Sequence, residues 1–403
     1  MAHPDLERDL SRERFAMRSL LEFARTLTPD LGPIGILKSI QRTIMGKTLI
    51  TDGFAYLSID SDADDRTYKL VSHSGLKQFP FPDEIDFEQL EGWLFSAPEG
   101  VRTTLPIFDS EQNEIIAFLG FGKSILPNTD LSGEDTYLES LSLLAGMAIT
   151  NARLFEAERE RERFEAELRL AREIQQSLLP AELPKIAGFS FAALSRQSEL
   201  VGGDYYDILE LTDTRVLLVI ADVVGKGISA AILMSNVQAS LHALLPQVQS
   251  GELSLAKLAE RLNKLIAAST TAERFVTAVF AIADSTTNDL EIVVCGHPRP
   301  IIVHDGHATS ELTASGLPLG VLTSATYCAE NISFDKGTSV FLYTDGLSEA
   351  VTTRDGKMLG INGASALAPK VVREGVAHIE EYLNSEAGVS VRDDLTLVVA
   401  NRI

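Results

Sequence analysis

Cysteine is almost missing from this chain: Cys295 and Cys328 are the two it has in 403 residues. A disulfide framework is therefore not expected, and a zinc site built on thiolates is ruled out. Positive charge is also scarce, with 35 Lys and Arg against 57 Asp and Glu and a formal net charge of −22. Nucleic-acid backbones are held by clustered Lys and Arg, so no nucleic-acid partner is expected, and the acidity reads as a solubility device. Long apolar runs are missing too. The stretch Leu141–Ile149 falls far short of the ~20 residues that span a bilayer. Met1–Phe15 is crowded with Asp, Glu and Arg and lacks the apolar core of a signal peptide. The expectation is a cytoplasmic protein with no membrane partner.

What remains is the composition of a folded protein, with 45% hydrophobic and 23% charged residues. The length is too great for one ordinary core, and two domains with a connector are expected. The first domain, residues 15–153 after an N-terminal segment 1–14, begins and ends in helix. Apolar residues recur at helical spacing over Phe15–Thr26 and again over Leu138–Leu154. Strand patterns lie between them at Asp52–Ile59, Thr67–Ser72, Thr103–Phe108 and Ile115–Gly122, with a hairpin turn expected at Asp109–Asn113. This order, and above all the closing helix Tyr137–Leu154, resembles a GAF domain, a small α/β sensor. The resemblance implies an unidentified small ligand or partner. His73 is the domain's one histidine and it has no cysteine, so a thiol-linked chromophore is excluded; Trp93 and Phe95 read as core.

Residues 154–180 form the connector. Gly and Pro are missing from Leu154 to Leu178, and Pro180 ends the run. One heptad register places Leu154, Arg161, Leu168 and Gln175 at one seam position and Ala157, Phe164, Ala171 and Leu178 at the other. A narrow apolar seam flanked by Glu and Arg points to a parallel coiled coil and hence a homodimer. The alternative is a single amphipathic helix folded back on its own domain.

From residue 181 to 403 the texture changes to short β-rich runs with a pair of inserted helices. Strands are expected at Phe189–Leu194, Asp204–Leu211, Arg215–Asp222, Val276–Asp284, Leu290–Cys295, Pro300–His304, Thr338–Thr344 and Leu395–Asn401. Helices are expected at Ile228–Leu245, Leu253–Ser269, Ala364–Val372 and His378–Asn384. Such an order means an α+β fold of layered sheets covered by helices. Acidic residues sit where the apolar strands begin or end: Asp204 and Asp207, Asp222, Asp345, and the pair Asp393 and Asp394. One aspartate at a strand end is a turn former. Several that converge need a counter-charge, since two carboxylates ~4 Å apart repel by roughly 4 kcal/mol at an effective dielectric near ~20. Hard divalent cations with oxygen ligands supply it.

Six motifs occur in a telling order: Gly202-Gly203-Asp204-Tyr205-Tyr206-Asp207, Asp222-Val223-Val224-Gly225-Lys226-Gly227, Gly296-His297-Pro298, Gly316-Leu317-Pro318-Leu319-Gly320, Tyr343-Thr344-Asp345-Gly346 and Arg392-Asp393-Asp394-Leu395-Thr396. Together with the lead-in Ala171–Pro180 they resemble the bacterial PPM-type phosphatases related to the stage II sporulation phosphatase and to those acting on sigma-factor regulators. The resemblance implies a β-sandwich flanked by helices, two Mn²⁺ or Mg²⁺ ions, and hydrolysis of phosphoserine or phosphothreonine by in-line attack of water without a covalent phosphoenzyme. It makes Asp222 the bridging metal ligand, with Asp345 and Asp393 on the first ion and Asp204 and the Val223 carbonyl on the second. Asp207 and Asp394 become supporting acceptors, and Gly225, Lys226, Gly227 and His297 lie toward the phosphate. Lys226 stands where many relatives have His. The phosphate-clamping arginine of eukaryotic relatives has no evident counterpart, Arg196 being the nearest. The implied substrate is a small phosphoprotein, an anti-sigma-factor antagonist of the STAS type. Two other readings compete. Gly202-Gly203-Asp204 superficially matches the turn of a nucleotide cyclase, which has no use for the Asp345 and Asp393 motifs. A catalytically inactive docking module has no need to keep every carboxylate.

Overall fold

A computed structural model describes residue 14 and residues 17–59, 66–75, 81–109, 114–125, 135–198, 200–270, 273–309, 312–352, 356–384, 389–391 and 393–403. The acidic N-terminal stretch, most of the Asp109–Asn113 turn and Arg392 lie outside the described residues. The chain divides into two compact units, Met1–Arg163 and Phe164–Ile403.

In the first unit, α1 (residues 17–26) and α2 (Gly32–Thr48) precede β1 (Gly53–Ser58), β2 (Thr67–Ser74) and β3 (Glu84–Asp86). Then come α3 (Phe87–Phe95), β4 (Thr103–Phe108), β5 (Ile115–Phe121) and the long α4 (Asp135–Gln176). The antiparallel sheet has the order β3-β2-β1-β5-β4. Its central strands β1 and β5 are buried on both faces, which is why they read as continuous apolar runs. One face packs Ala55, Leu105 and Leu119 with Ile36, Leu37, Ile40 and Ile44 of α2 and Leu141, Ala145 and Ile149 of α4. The other packs Phe54, Tyr56, Tyr68 and Phe118 with Leu90 and Trp93 of α3. Trp93 stands edge-on to Phe54 and Tyr56 at 5.8 and 5.7 Å, and is core. Phe95 is not: it is 87% exposed.

Helix α4 runs 42 residues without interruption, so the last helix of the first unit and the connector are one element. Along it Leu154 and Phe164 are exposed. The last turn of the heptad register behaves differently. Gln175 is buried and Leu178 packs against the core of the second unit, so both are taken up by their own domain rather than left on a seam.

The second unit opens with β6 (Phe189–Arg196), β7 (Tyr205–Thr212) and β8 (Arg215–Val223), then α5 (Ile228–Gln249) and α6 (Leu255–Ser269). There follow β9 (Val276–Asp284), β10 (Asp289–Cys295), β11 (Ile301–His304), β12 (His307–Thr309), β13 (Glu330–Ser333) and β14 (Thr338–Tyr343). The chain ends through α7 (Asp345–Ser348), β15 (Val351–Thr352), α8 (Gly360–Glu374), α9 (Ala377–Asn384), β16 (Val389–Ser390) and β17 (Leu395–Arg402). Two five-stranded sheets result, ordered β13-β10-β9-β8-β7 and β12-β11-β14-β17-β6, beside a β15-β16 ribbon. Alternate residues of both sheets, among them Ile208, Leu218, Ala281, Ile292, Val340, Leu342, Val398 and Ala400, share one core between them. The opposite residues face helices: α5 and α6 cover the first sheet, α8 and α9 the second. This is the α+β sandwich flanked by helices that the resemblance implied. By length and composition α5 is long and apolar enough to cross a membrane. Here it buries Leu233, Met234, Val237 and Leu241 under the first sheet, as a core helix does.

Candidate active site

The acidic residues gather at one end of the sandwich because of strand register. Tyr205 of β7 pairs with Ala221 of β8, so the next position brings Asp204 opposite Asp222. In the second sheet Tyr343 of β14 pairs with Leu397 of β17, so Asp345 leaves one strand beside the point where Asp393 and Asp394 enter the other. Hydrogen bonds tie the two sheets together there. Thr344 Oγ1 donates to Asp204 Oδ2 at 2.9 Å and itself accepts from the Thr396 amide at 2.9 Å. Asp394 Oδ2 accepts from the Gly203 amide at 2.8 Å, and its Oδ1 accepts from the amide and hydroxyl of Ser198 at 2.8 and 2.9 Å. Asp394 is thus a brace for the loop that carries Asp204.

Electrostatics mark the cluster as short of positive charge. Burial, and then the neighbouring Asp222 carboxylate, hold Asp204 well above the usual carboxylate range. Burial pushes Asp222 up to about 7, with Asp345, Asp393 and Asp394 adding to it. Asp345 is raised by burial, then by Glu349 and Asp393. Against these, among the described residues, stands Lys226, whose Nζ lies 3.1 Å from Asp393 Oδ1. Among the described residues no three Asp, Glu, His or Cys side chains form a closed ligand cluster; the carboxylates approach one another from separate strand ends.

The residues fit divalent cations. Asp204 Oδ1 is buried with no hydrogen-bond partner, which is costly for a carboxylate oxygen unless something cationic meets it. Gly203 leaves room beside it: a Cβ there would sit 2.8 Å from the Val223 carbonyl oxygen and 3.4 Å from Asp222 Oδ1. Every donor in the set is oxygen, the preference of Mg²⁺ and Mn²⁺.

The other expected residues take distinct places. Gly225 and Gly227, at φ of 99° and 73°, turn the chain from β8 into α5 around Lys226. His297 is buried, with Nδ1 accepting from Thr277 Oγ1 at 2.7 Å and Nε2 donating to the Tyr343 carbonyl at 3.1 Å. Burial lowers its pKa to about 3, so the ring is neutral and structural. Asp207 is not brought to the cluster. Three positions after Asp204, strand alternation turns it to the helix-covered face, where its Oδ2 meets Tyr205 Oη at 2.7 Å and His242 Nε2 at 2.8 Å. Sequence reasoning passed over Thr344 and Thr396, although both lie inside quoted motifs. It also read Gln175 only as a seam position.

Residues 212–403 match the family model described as stage II sporulation protein E. The chain is 26% identical over 246 residues to the phosphoserine phosphatase RsbU of Bacillus subtilis, covering 59% of this chain and 70% of that one. It is 26% identical over 183 residues to the phosphoserine phosphatase RsbP of the same species, but spans just 45% of that protein's length. Among solved structures, the SiaA PP2C domain of Pseudomonas aeruginosa aligns over 60% of this chain and 98% of its own, with a TM-score of 0.49 at 20% identity.

Proposed function

We propose, on the premise that residues 212–403 belong to the stage II sporulation protein E family of PP2C-type phosphatase domains, that this chain is a Mn²⁺- or Mg²⁺-dependent protein serine/threonine phosphatase. The observation that carries the reading is the buried Asp204–Asp222 pair, joined from the second sheet by Asp345 and Asp393, with one Asp204 oxygen left unpartnered. Asp222 would bridge two ions, Asp345 and Asp393 would hold the first, and Asp204 and the Val223 carbonyl the second. Bound there, the cations supply an activated water and counter-charge for the phosphoryl oxygens.

The chain's own residues do the positioning. Thr344 aims Asp204 by its hydroxyl, and Asp394 holds the Gly203 amide of the loop that carries it. Lys226 offers an ammonium at the exposed side, where it can follow a phosphate as a mobile point charge. His297 has both ring nitrogens engaged inside the fold and is a strut between β9 and the end of β14.

The proposed substrate is a phosphorylated protein of the anti-sigma-factor-antagonist class. The first unit would be the GAF-like sensor, with α4 joining two copies as a dimer. A folded substrate supplies binding energy from surface remote from the phosphate, which aligns the seryl oxygen for in-line displacement. Phosphate release from an intact phosphoserine protein, from a short peptide with the same site and from an aryl phosphate, all in Mn²⁺, tests this. The expected kcat/KM for the folded protein exceeds the peptide's by about tenfold or more. Equal constants would remove the protein-substrate reading, and no release from any of the three would remove the phosphatase.

A further inference from the structure

At the Asp222 end of β8 and β9, three stretches of chain run side by side. The Val224 amide donates to the Phe275 carbonyl at 3.0 Å, and Val276 and Leu319 exchange backbone hydrogen bonds at 2.9 and 2.7 Å. The turn after Asp222, the approach to β9 and the loop from Gly316 to Thr323 therefore form one rim. It borders the acidic cluster, since Asp222 itself pairs with Thr277 of β9. The loop is pinned from behind. Asn263 of α6 is wholly buried, accepts from the Gly320 amide at 2.8 Å, and donates to the Leu322 and Thr323 carbonyls at 2.9 and 3.3 Å. This anchored rim nevertheless turns apolar side chains to solvent. Leu317, Val321 and Leu322 of the loop and Ile228 and Ile232 of the first turns of α5 are all exposed, Ile232 at 66%.

Arg274 adds charge to this surface. It shares a groove of about 440 Å³ with Ser229, Ile232 and Asn236 of α5 and with Ser269 and Thr270 at the end of α6. Among the described residues the groove has no carboxylate in its lining, and the Arg274 guanidinium has no ion pair, in a chain where acidic residues outnumber basic ones. We propose that the rim docks the substrate polypeptide on one side of its phosphoserine, taking an apolar side chain against Ile232 and Leu322 and an acidic one against Arg274. The inference rests on the phosphatase reading and gives that reading a substrate preference. Two observations select this occupant. The rim is continuous with the segment that carries Asp222 and Lys226, so a chain whose phosphate reaches the carboxylates passes over it. Its charge is also complementary: an arginine fork matches a carboxylate, which the acidic cluster alone would repel. Burying the exposed apolar residues supplies affinity, and Arg274 fixes register.

The test uses the full chain in Mn²⁺ with an aryl phosphate and three phosphoserine peptides. The first peptide has leucine and glutamate beside the phosphoserine, the second replaces the leucine with serine, and the third replaces the glutamate with lysine. Wild type should prefer the first to the second by about tenfold in kcat/KM, and to the third by about fivefold. Ile232→Ser should lose most of the preference for leucine. Arg274→Glu should reverse the charge preference and favour the lysine peptide, which a loss of packing cannot produce. Both variants should keep aryl phosphate turnover within about twofold of wild type. A wild type indifferent to both peptide replacements overturns the inference and leaves the phosphatase standing, as does an Arg274→Glu protein that still favours glutamate. A dimer that Ile232→Ser turns into monomers with its leucine preference intact also overturns it, since the rim then faces a second copy. No release from any of the four probes by wild type overturns the phosphatase reading and this inference together.

Discussion

Asp222→Asn should make the metal-free protein more stable while abolishing its activity. The folded protein keeps the Asp222 proton up to about pH 7, whereas the ordinary carboxyl of an unfolded chain loses it near 3.8. Ionisation therefore favours the unfolded chain throughout that window, and the full penalty is present above about pH 7. At about 1.4 kcal/mol for each tenfold in proton affinity, the interval amounts to roughly 4 kcal/mol. Asparagine removes the charge but still has to be desolvated, so a net gain of about 2 kcal/mol is expected. For a unit of this size that raises the melting temperature by about 4–8 °C. The assay is thermal unfolding of wild type and variant in chelator, from about pH 8 down to about pH 4. The gain should shrink steadily between about pH 7 and pH 4, where the wild-type carboxyl is neutral in both states. Mn²⁺ should stabilise the wild type and not the variant. A variant no more stable than wild type at about pH 8, or a gain that does not change with pH, would refute the reasoning.

Three further outcomes follow from particular contacts. Thr344→Val removes the hydroxyl that donates to Asp204, and should raise the Mn²⁺ concentration for half-maximal activity by about tenfold. Asp207→Asn should keep Mn²⁺-dependent activity within about twofold, since Asp207 faces α5 and not the cluster; its cost is in stability, about 1–2 kcal/mol in a denaturant titration. Phe164→Glu with Leu168→Glu on the exposed stretch of α4 should turn a dimer into monomers in sedimentation and alter basal activity. A variant that remains dimeric with wild-type activity reduces α4 to a spacer.

The two sheets of the second unit were legible because their strands are short, apolar and bounded by turn residues. The period alone placed β9 at the residues it occupies, Val276–Asp284. The exposed edge strand β13, Glu330–Ser333, has no apolar run to read and escaped notice. In the first unit α2, ahead of the first strand, and α3, between β3 and β4, were missed, although Ile36, Leu37, Ile40 and Ile44 of α2 carry the helical spacing. The carboxylates could be found one by one, since each flanks an apolar strand, and motif order grouped them. Motif proximity misled at Asp207, because three residues along a strand reverse the face. Gln175 shows a different limit. A heptad register describes a helix surface but cannot tell whether the partner is a second helix or the helix's own domain, and here it is the Gly202 backbone.

The central claim is that the Asp204, Asp222, Asp345 and Asp393 cluster works through bound divalent cations. Phosphate release from a phosphoserine protein by the purified chain, first in EDTA and then with Mn²⁺ or Mg²⁺ restored, tests it most directly. The account predicts no turnover in chelator, full recovery with metal, and none under either condition for Asp345→Asn. Turnover undiminished in EDTA would contradict it.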